Sequence, residues 1–174
     1  MSAYCYINQF GVADIDGDGT NEILLRKNTG HIYIINSTTF AEEGRFNTIT
    51  YPYAVTVGDA NGDGDKEIVV IEGEYIVFYD ASTLERLFER KHVNSGALWF
   101  ALVKLAPTSH PQLLITDSTH VYIYWHPYDS RPQQTLSYTL PKVIVSDIEK
   151  DGRPDIIISH NEGVSILRAK SYEP

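Results

Sequence analysis

The chain is poor in the residues that staple, span or catalyse. Its 174 residues hold one cysteine, Cys5, one methionine and two tryptophans. A lone cysteine excludes an internal disulfide. Long apolar runs are missing too: the stretch from 97 to 106 carries Lys104, and a membrane helix needs about 20 apolar residues. Basic clusters go no further than Arg26-Lys27 and Arg90-Lys91, and the net charge is −9. A nucleic-acid interface wants a basic face, so that class is excluded. Neither G-x-S-x-G, a P-loop nor a dinucleotide fingerprint occurs, which points away from an enzyme. Residues 1–8 lack a basic region followed by an apolar core, so no signal peptide is read and an intracellular location is expected. Helical periodicity is weak throughout; Ser82-Thr83-Leu84-Glu85-Arg86-Leu87 makes one turn at most. His110, His120 and His126 crowd one region without a cysteine or acid at zinc-ligand spacing, and read as surface or packing residues.

What the chain has in excess is acid, and the acid is placed. Of its 23 Asp and Glu, 12 fall in three short stretches. The first is Asp14-Ile15-Asp16-Gly17-Asp18-Gly19-Thr20-Asn21-Glu22, with acids at positions 1, 3, 5 and 9 and glycine at position 6. The second runs from Asp59 through Asn61, Asp63 and Asp65 to Glu67, and the last from Asp147 through Glu149, Asp151 and Arg153 to Asp155. In such a loop alternate side chains turn toward one hard cation. The carbonyl at position 7 (Thr20, Asp65 or Arg153) completes the shell. Six to eight oxygens in irregular geometry suit calcium. Three divalent ions would bring the net charge of −9 to about −3, so the acidity is mostly a metal signature.

An EF-hand also opens D-x-D-x-D-G but closes on a bidentate Glu at position 12. Here position 12 is Leu25, Val70 or Ile158. Each loop instead enters a β-branched or leucine-rich run, Ile23-Leu24-Leu25, Ile68-Val69-Val70-Ile71 or Ile156-Ile157-Ile158. Those runs read as buried strands. The loop therefore joins two strands, and the acid at position 9 opens the second.

Phe10-Gly11-Val12-Ala13-Asp14-Ile15-Asp16-Gly17-Asp18-Gly19 resembles the FG-GAP repeat (integrin α-like, also called VCBS) of calcium-binding β-propellers. Phe10-Gly11 matches the family's FG. Its GAP element is absent, so similarity to integrins themselves is distant. The resemblance implies a propeller fold with a calcium loop between the first two strands of a blade.

The period supports that fold independently. Loops start at Asp14 and Asp59, 45 residues apart, and the next acidic one at Asp147, 88 further on. A cryptic copy fills the gap: residues 102–115 keep both strand flanks but put Lys104, Ala106, Thr108 and Gln112 at ligand positions. A lysine at position 1 stands where the metal would sit, so this loop is expected to hold none. Each repeat continues with a turn, a third strand (31–36, 75–80, 120–125, 164–168) and an outer strand near 45–50, 86–91 and 135–139. Four strands per 43–45 residues make a propeller blade. The expectation is an all-β, four-bladed propeller forming one domain over 1–174, with repeats near 10–54, 55–99, 100–142 and 143–174. Residues 1–9 would close the last blade through Tyr4-Cys5-Tyr6-Ile7 pairing near 164–168; otherwise further blades would complete the set. In 120–125, Val121, Ile123 and Trp125 share one face, and His120, Tyr122 and Tyr124 the other. The 12 tyrosines are expected between blades with hydroxyls at the wet edge.

Two functions follow as expectations. One is a non-enzymatic protein-interaction or assembly scaffold with structural calcium at three sites and a protein partner. The other is a carbohydrate-binding lectin or accessory propeller of a polysaccharide-processing protein. Trp99 and Trp125 are not at equivalent repeat positions, which tells against repeated sugar pockets. The resemblance also admits an extracellular location. If ligand charge dominates affinity, the Asp59 loop, with its neutral Asn61, binds most weakly.

Overall fold

A computed structural model describes residues 10–27, 30–49, 52–92, 99–105 and 110–168. The expected pairing of residues 4–7, and the positions Ala106 and Thr108, lie outside these. Every regular element described is a β-strand. β1 (Phe10–Ala13), β2 (Glu22–Lys27), β3 (His31–Asn36) and β4 (Glu42–Asn47) form one antiparallel sheet in sequence order. The second sheet is β5 (Pro52–Gly58), β6 (Glu67–Glu72), β7 (Tyr75–Asp80) and β8 (Arg86–Lys91). The third is β9 (Trp99–Val103), β10 (Gln112–Thr116), β11 (His120–Tyr124) and β12 (Gln134–Ser137). The fourth, among the described residues, is β13 (Lys142–Ser146), β14 (Asp155–His160) and β15 (Gly163–Leu167). Each sheet is a meander of one repeat, which is a blade in a β-propeller-like fold.

The chain divides into two compact units, Met1–Gly58 with Gly64–Ser95, and Asp59–Asp63 with Gly96–Pro174. In the first, Leu24, Ile32, Ile34 and Phe46 of the first sheet share a core with Val55, Ile68, Val70, Val77 and Tyr79 of the second. In the other, Leu114, Val121 and Ile123 of the third sheet share a core with Ile156, Ile158, Val143, Val145 and Leu167 of the fourth. Sheets thus pack face to face. A strand covered on both faces does not need to alternate, and β6 and β10 are buried at every position.

β11 is covered on both of its faces, Val121 through Tyr124 all being buried. One expectation is corrected: two buried tyrosine hydroxyls bond inside the protein and not at a wet edge. Tyr122 donates to Asp117 Oδ2 at 2.8 Å, and Tyr79 donates to Glu72 Oε1 at 2.5 Å. A buried phenol must find an acceptor inside the protein, and the second and third sheets each supply a carboxylate for it. Burial and Glu72 together push the Tyr79 pKa upward. The Ser82-Thr83 segment is a single turn, in line with the sequence: Asp80 Oδ1 accepts the Ser82 and Thr83 amides at 2.9 and 2.7 Å. That is an Asx-turn.

Candidate metal centres

In the first loop, between β1 and β2, Asp14, Asp16 and Asp18 each offer a carboxylate oxygen within 4.8 Å of the others. The backbone holds them there. Asp14 accepts the amides of Gly17 (2.7 Å) and Gly19 (3.2 Å), Asp16 that of Asp18 (3.1 Å), and Asp18 that of Thr20 (2.6 Å). Gly17 and Gly19 have φ of +81° and +88°, a conformation costly for other L-residues. An added Cβ would meet nothing within 4 Å at either. The backbone, and not lack of space, requires glycine.

Glu22, the first residue of β2, is 1% exposed. Its Oε2 accepts the Ile15 amide at 2.7 Å, while Oε1 is buried without a protein partner. Burial raises the Glu22 pKa, the Ile15 hydrogen bond opposes this, and Asp16, Glu43 and Asp18 add to the rise. An orphaned carboxylate oxygen is costly to bury. A cation shared with Asp14, Asp16 and Asp18 is the partner such chemistry lacks. These residues fit a hard divalent ion.

The other loops repeat the frame with differences. At Asp59, Oδ1 accepts the Gly62 amide at 2.6 Å. Asn61 accepts the Asp63 amide and donates its Nδ2 to Asp63 Oδ2, both at 2.8 Å. Asp65 and Glu67 belong to the other compact unit, where Glu67 opens β6 and is buried. In the fourth sheet Asp147 accepts the Asp151 and Gly152 amides at 3.1 and 2.9 Å, and Asp151 that of Arg153 at 3.0 Å. Asp155, at the start of β14, is buried and accepts the Ile148 amide at 3.2 Å. Arg168 intrudes on this loop: its Nη1 lies 3.2 Å from Glu149 and 3.5 Å from Asp155. Sequence reasoning missed Arg168, which lies outside the nine-residue pattern; only the strand register brings it near.

The cryptic loop keeps one contact of the frame. Gln112, fully buried, accepts the Leu105 amide at 2.7 Å through Oε1, the same position-2 to position-9 bond made by Glu22 and Asp155. Lys104 is exposed. The position-9 side chain therefore has a structural task that survives replacement of the carboxylate by an amide.

A separate polar cleft of about 450 Å³ in the second unit is lined in part by His120, Tyr138, His160 and Ser165. His160 Nε2 lies 2.9 Å from Ser165 Oγ, which invites a nucleophile reading. The Glu162 amide donates to His160 Nδ1 at 3.4 Å. With Nδ1 as the acceptor, this arrangement favours Nε2 as the donor to the serine, opposite to the direction a nucleophile needs.

Residues 14–70 match the family model described as FG-GAP-like repeat. No curated protein sequence matches the chain. Among solved structures, the chain is similar to BBS1N in complex with ARL6DN, soaked with lead, at TM-score 0.70 and 16% identity, covering 97% of this chain and 55% of that one. It is likewise similar to BBS1N in complex with ARL6DN, soaked with mercury, at TM-score 0.71 and 14% identity, covering 97% and 58%. The chain thus spans little more than half the length of these structures.

Proposed function

From a chain whose residues 14–70 match an FG-GAP-like repeat and whose fold is β-propeller-like, we propose a non-enzymatic, calcium-binding scaffold that docks a protein partner. The convergence of Asp14, Asp16 and Asp18 beside the buried, unpartnered Glu22 oxygen carries the metal part. Asp14, Asp16, Asp18, Glu22 and the Thr20 carbonyl would hold the first ion. Asp147, Glu149, Asp151, Asp155 and the Arg153 carbonyl would hold another. Each ion neutralises a cluster of carboxylates and fixes the turn between the first two strands of its blade. Lys104 leaves the third repeat without an ion. The partner part rests on the similar structures, in which BBS1N is in complex with ARL6DN.

Calcium titration by calorimetry tests the metal part. Saturable binding that Asp18→Ala reduces by one site supports it, and no heat of binding overturns it. A glycan array in calcium buffer separates a protein scaffold from the lectin alternative, which predicts sugar binding.

A further inference from the structure

Beside the first acidic loop, the first compact unit holds a pocket of about 180 Å³, lined by residues of the first sheet and of the β7–β8 turn. Part of its wall is apolar: Ile34 of β3, Gly44 of β4 and Leu84 of that turn. Gly44 keeps the wall low, since an added Cβ would stand 3.6 Å from Ile34 Cδ1 and 3.9 Å from Leu84 Cδ1. Leu84 sits at φ +60°, a left-handed conformation that leucine rarely adopts. Its amide donates to the Asp80 carbonyl at 2.9 Å, which holds the turn. Strain kept in a turn points to a use for the side chain it aims.

The charged part of the wall is acidic only. Asp16 of the loop, Glu22 of β2 and Glu43 of β4 reach the pocket from three segments, and none of the lining residues is basic. Asn36 Nδ2 donates to Glu43 Oε1 at 2.8 Å and so orients that carboxylate. Glu22 is buried, and its Oε1 has no protein partner. Such an oxygen requires a donor or a cation. Two nearby cations of the chain are engaged elsewhere: Arg45 lies 3.6 Å from Glu42, and Lys66 donates to the Asp14 carbonyl.

A long aliphatic stem that ends in a compact cation matches both parts of this wall. The stem covers the apolar side and the head meets the carboxylates. An ammonium offers three donors on a point charge, which suits carboxylates arriving from three segments. A guanidinium instead presents a planar fork suited to one carboxylate. Resting on the reading that this chain docks a protein partner, we propose that the pocket receives a lysine side chain of that partner. The lysine and the proposed first ion draw on the same carboxylates, Asp16 and Glu22, so calcium weakens the docking.

A small probe in place of the partner tests the pocket by itself. Nα-acetyl-lysine N-methylamide is titrated into the protein in chelator and in calcium, and amide resonances are followed by NMR. Those of Ile34, Gly44 and Leu84 should shift saturably, at lower probe concentration in chelator. The norleucine analogue, which lacks the ammonium, should leave them in place, and the arginine analogue should bind more weakly. Glu43→Gln keeps an acceptor for Asn36 and should weaken the lysine probe roughly threefold. Glu42→Gln, the same charge change one residue away, should not. The absence of saturable shifts at these residues in both conditions overturns the proposal. So does a norleucine or arginine analogue that binds as tightly as lysine, or an equal loss in Glu42→Gln and Glu43→Gln. Equal lysine binding in calcium and in chelator supports the pocket while refuting the ion at Glu22, so the two readings fail separately.

Discussion

At the residue scale the loops depend on backbone conformation as much as on charge. Position 4 is Gly17 or Gly62 in the first two acidic loops, with φ of +81° and +85°, but Lys150 in the last, with φ of +57°. A left-handed non-glycine residue costs about 1–2 kcal/mol, so Lys150→Gly should stabilise the protein by roughly 1 kcal/mol; urea denaturation measures this. Arg168 is a second control point. Its guanidinium lies against Glu149 and Asp155, where it would compete with the proposed metal for the same oxygens. Arg168→Gln should tighten calcium binding at the Asp147 loop, read by titrating the variant in an Asp18→Ala background. Gln112 is the neutral counterpart of Glu22. Gln112→Ala removes the shorter of the two bonds made by the Leu105 amide, leaving the Val103 carbonyl at 3.1 Å, and should cost about 0.5–1.5 kcal/mol; no loss in denaturant titration would show that the bond is dispensable.

At the scale of elements, strands were legible where chemistry repeats. The sequence places β3 at 31–36, β7 at 75–80 and β8 at 86–91, as the structure does. Outer strands were less legible: β4 runs Glu42–Asn47 instead of starting at Arg45, because exposed Glu42 and Glu43 carry no apolar signal and the strand bulges between Ile34 and Ile35. The acidic positions of the site could be read because side-chain carboxylates recur at fixed spacing. Arg168 and the buried Tyr79–Glu72 pair could not, since tertiary register alone brings them to their partners. Asp80 shows how one turn responds to pH. Hydrogen bonds from the Thr83 amide and the Ser82 hydroxyl hold its pKa below the usual 3.8. Its lowered native pKa means the ionised form is favoured by folding, so its contribution is present above pH 3.8 and is lost as pH falls through the depressed native value. Asp80→Asn keeps an acceptor but removes the titration. Its acid unfolding curve in chelator should be shallower than the wild type's below that pH, and superimposable curves would refute the link.

At the scale of the whole molecule, four meanders carry three acidic loops and one lysine-bearing loop, so the proposed metal binding would be coupled to stability. Without a cation each acidic loop gathers repelling carboxylates, and Glu22 Oε1 is buried without a protein partner. A ligand that binds only the folded state stabilises it by about 2.7 kcal/mol per site at a hundred times its Kd. For a chain of this size each kcal/mol is worth roughly 2–4 °C. The most direct test is the thermal melt of the wild type in calcium, in magnesium and in chelator, with Asp18→Ala alongside. Calcium should raise the melting temperature by several degrees per filled site, magnesium much less, and Asp18→Ala should lose part of the calcium increment. Equal melting temperatures in calcium and in chelator would contradict the account.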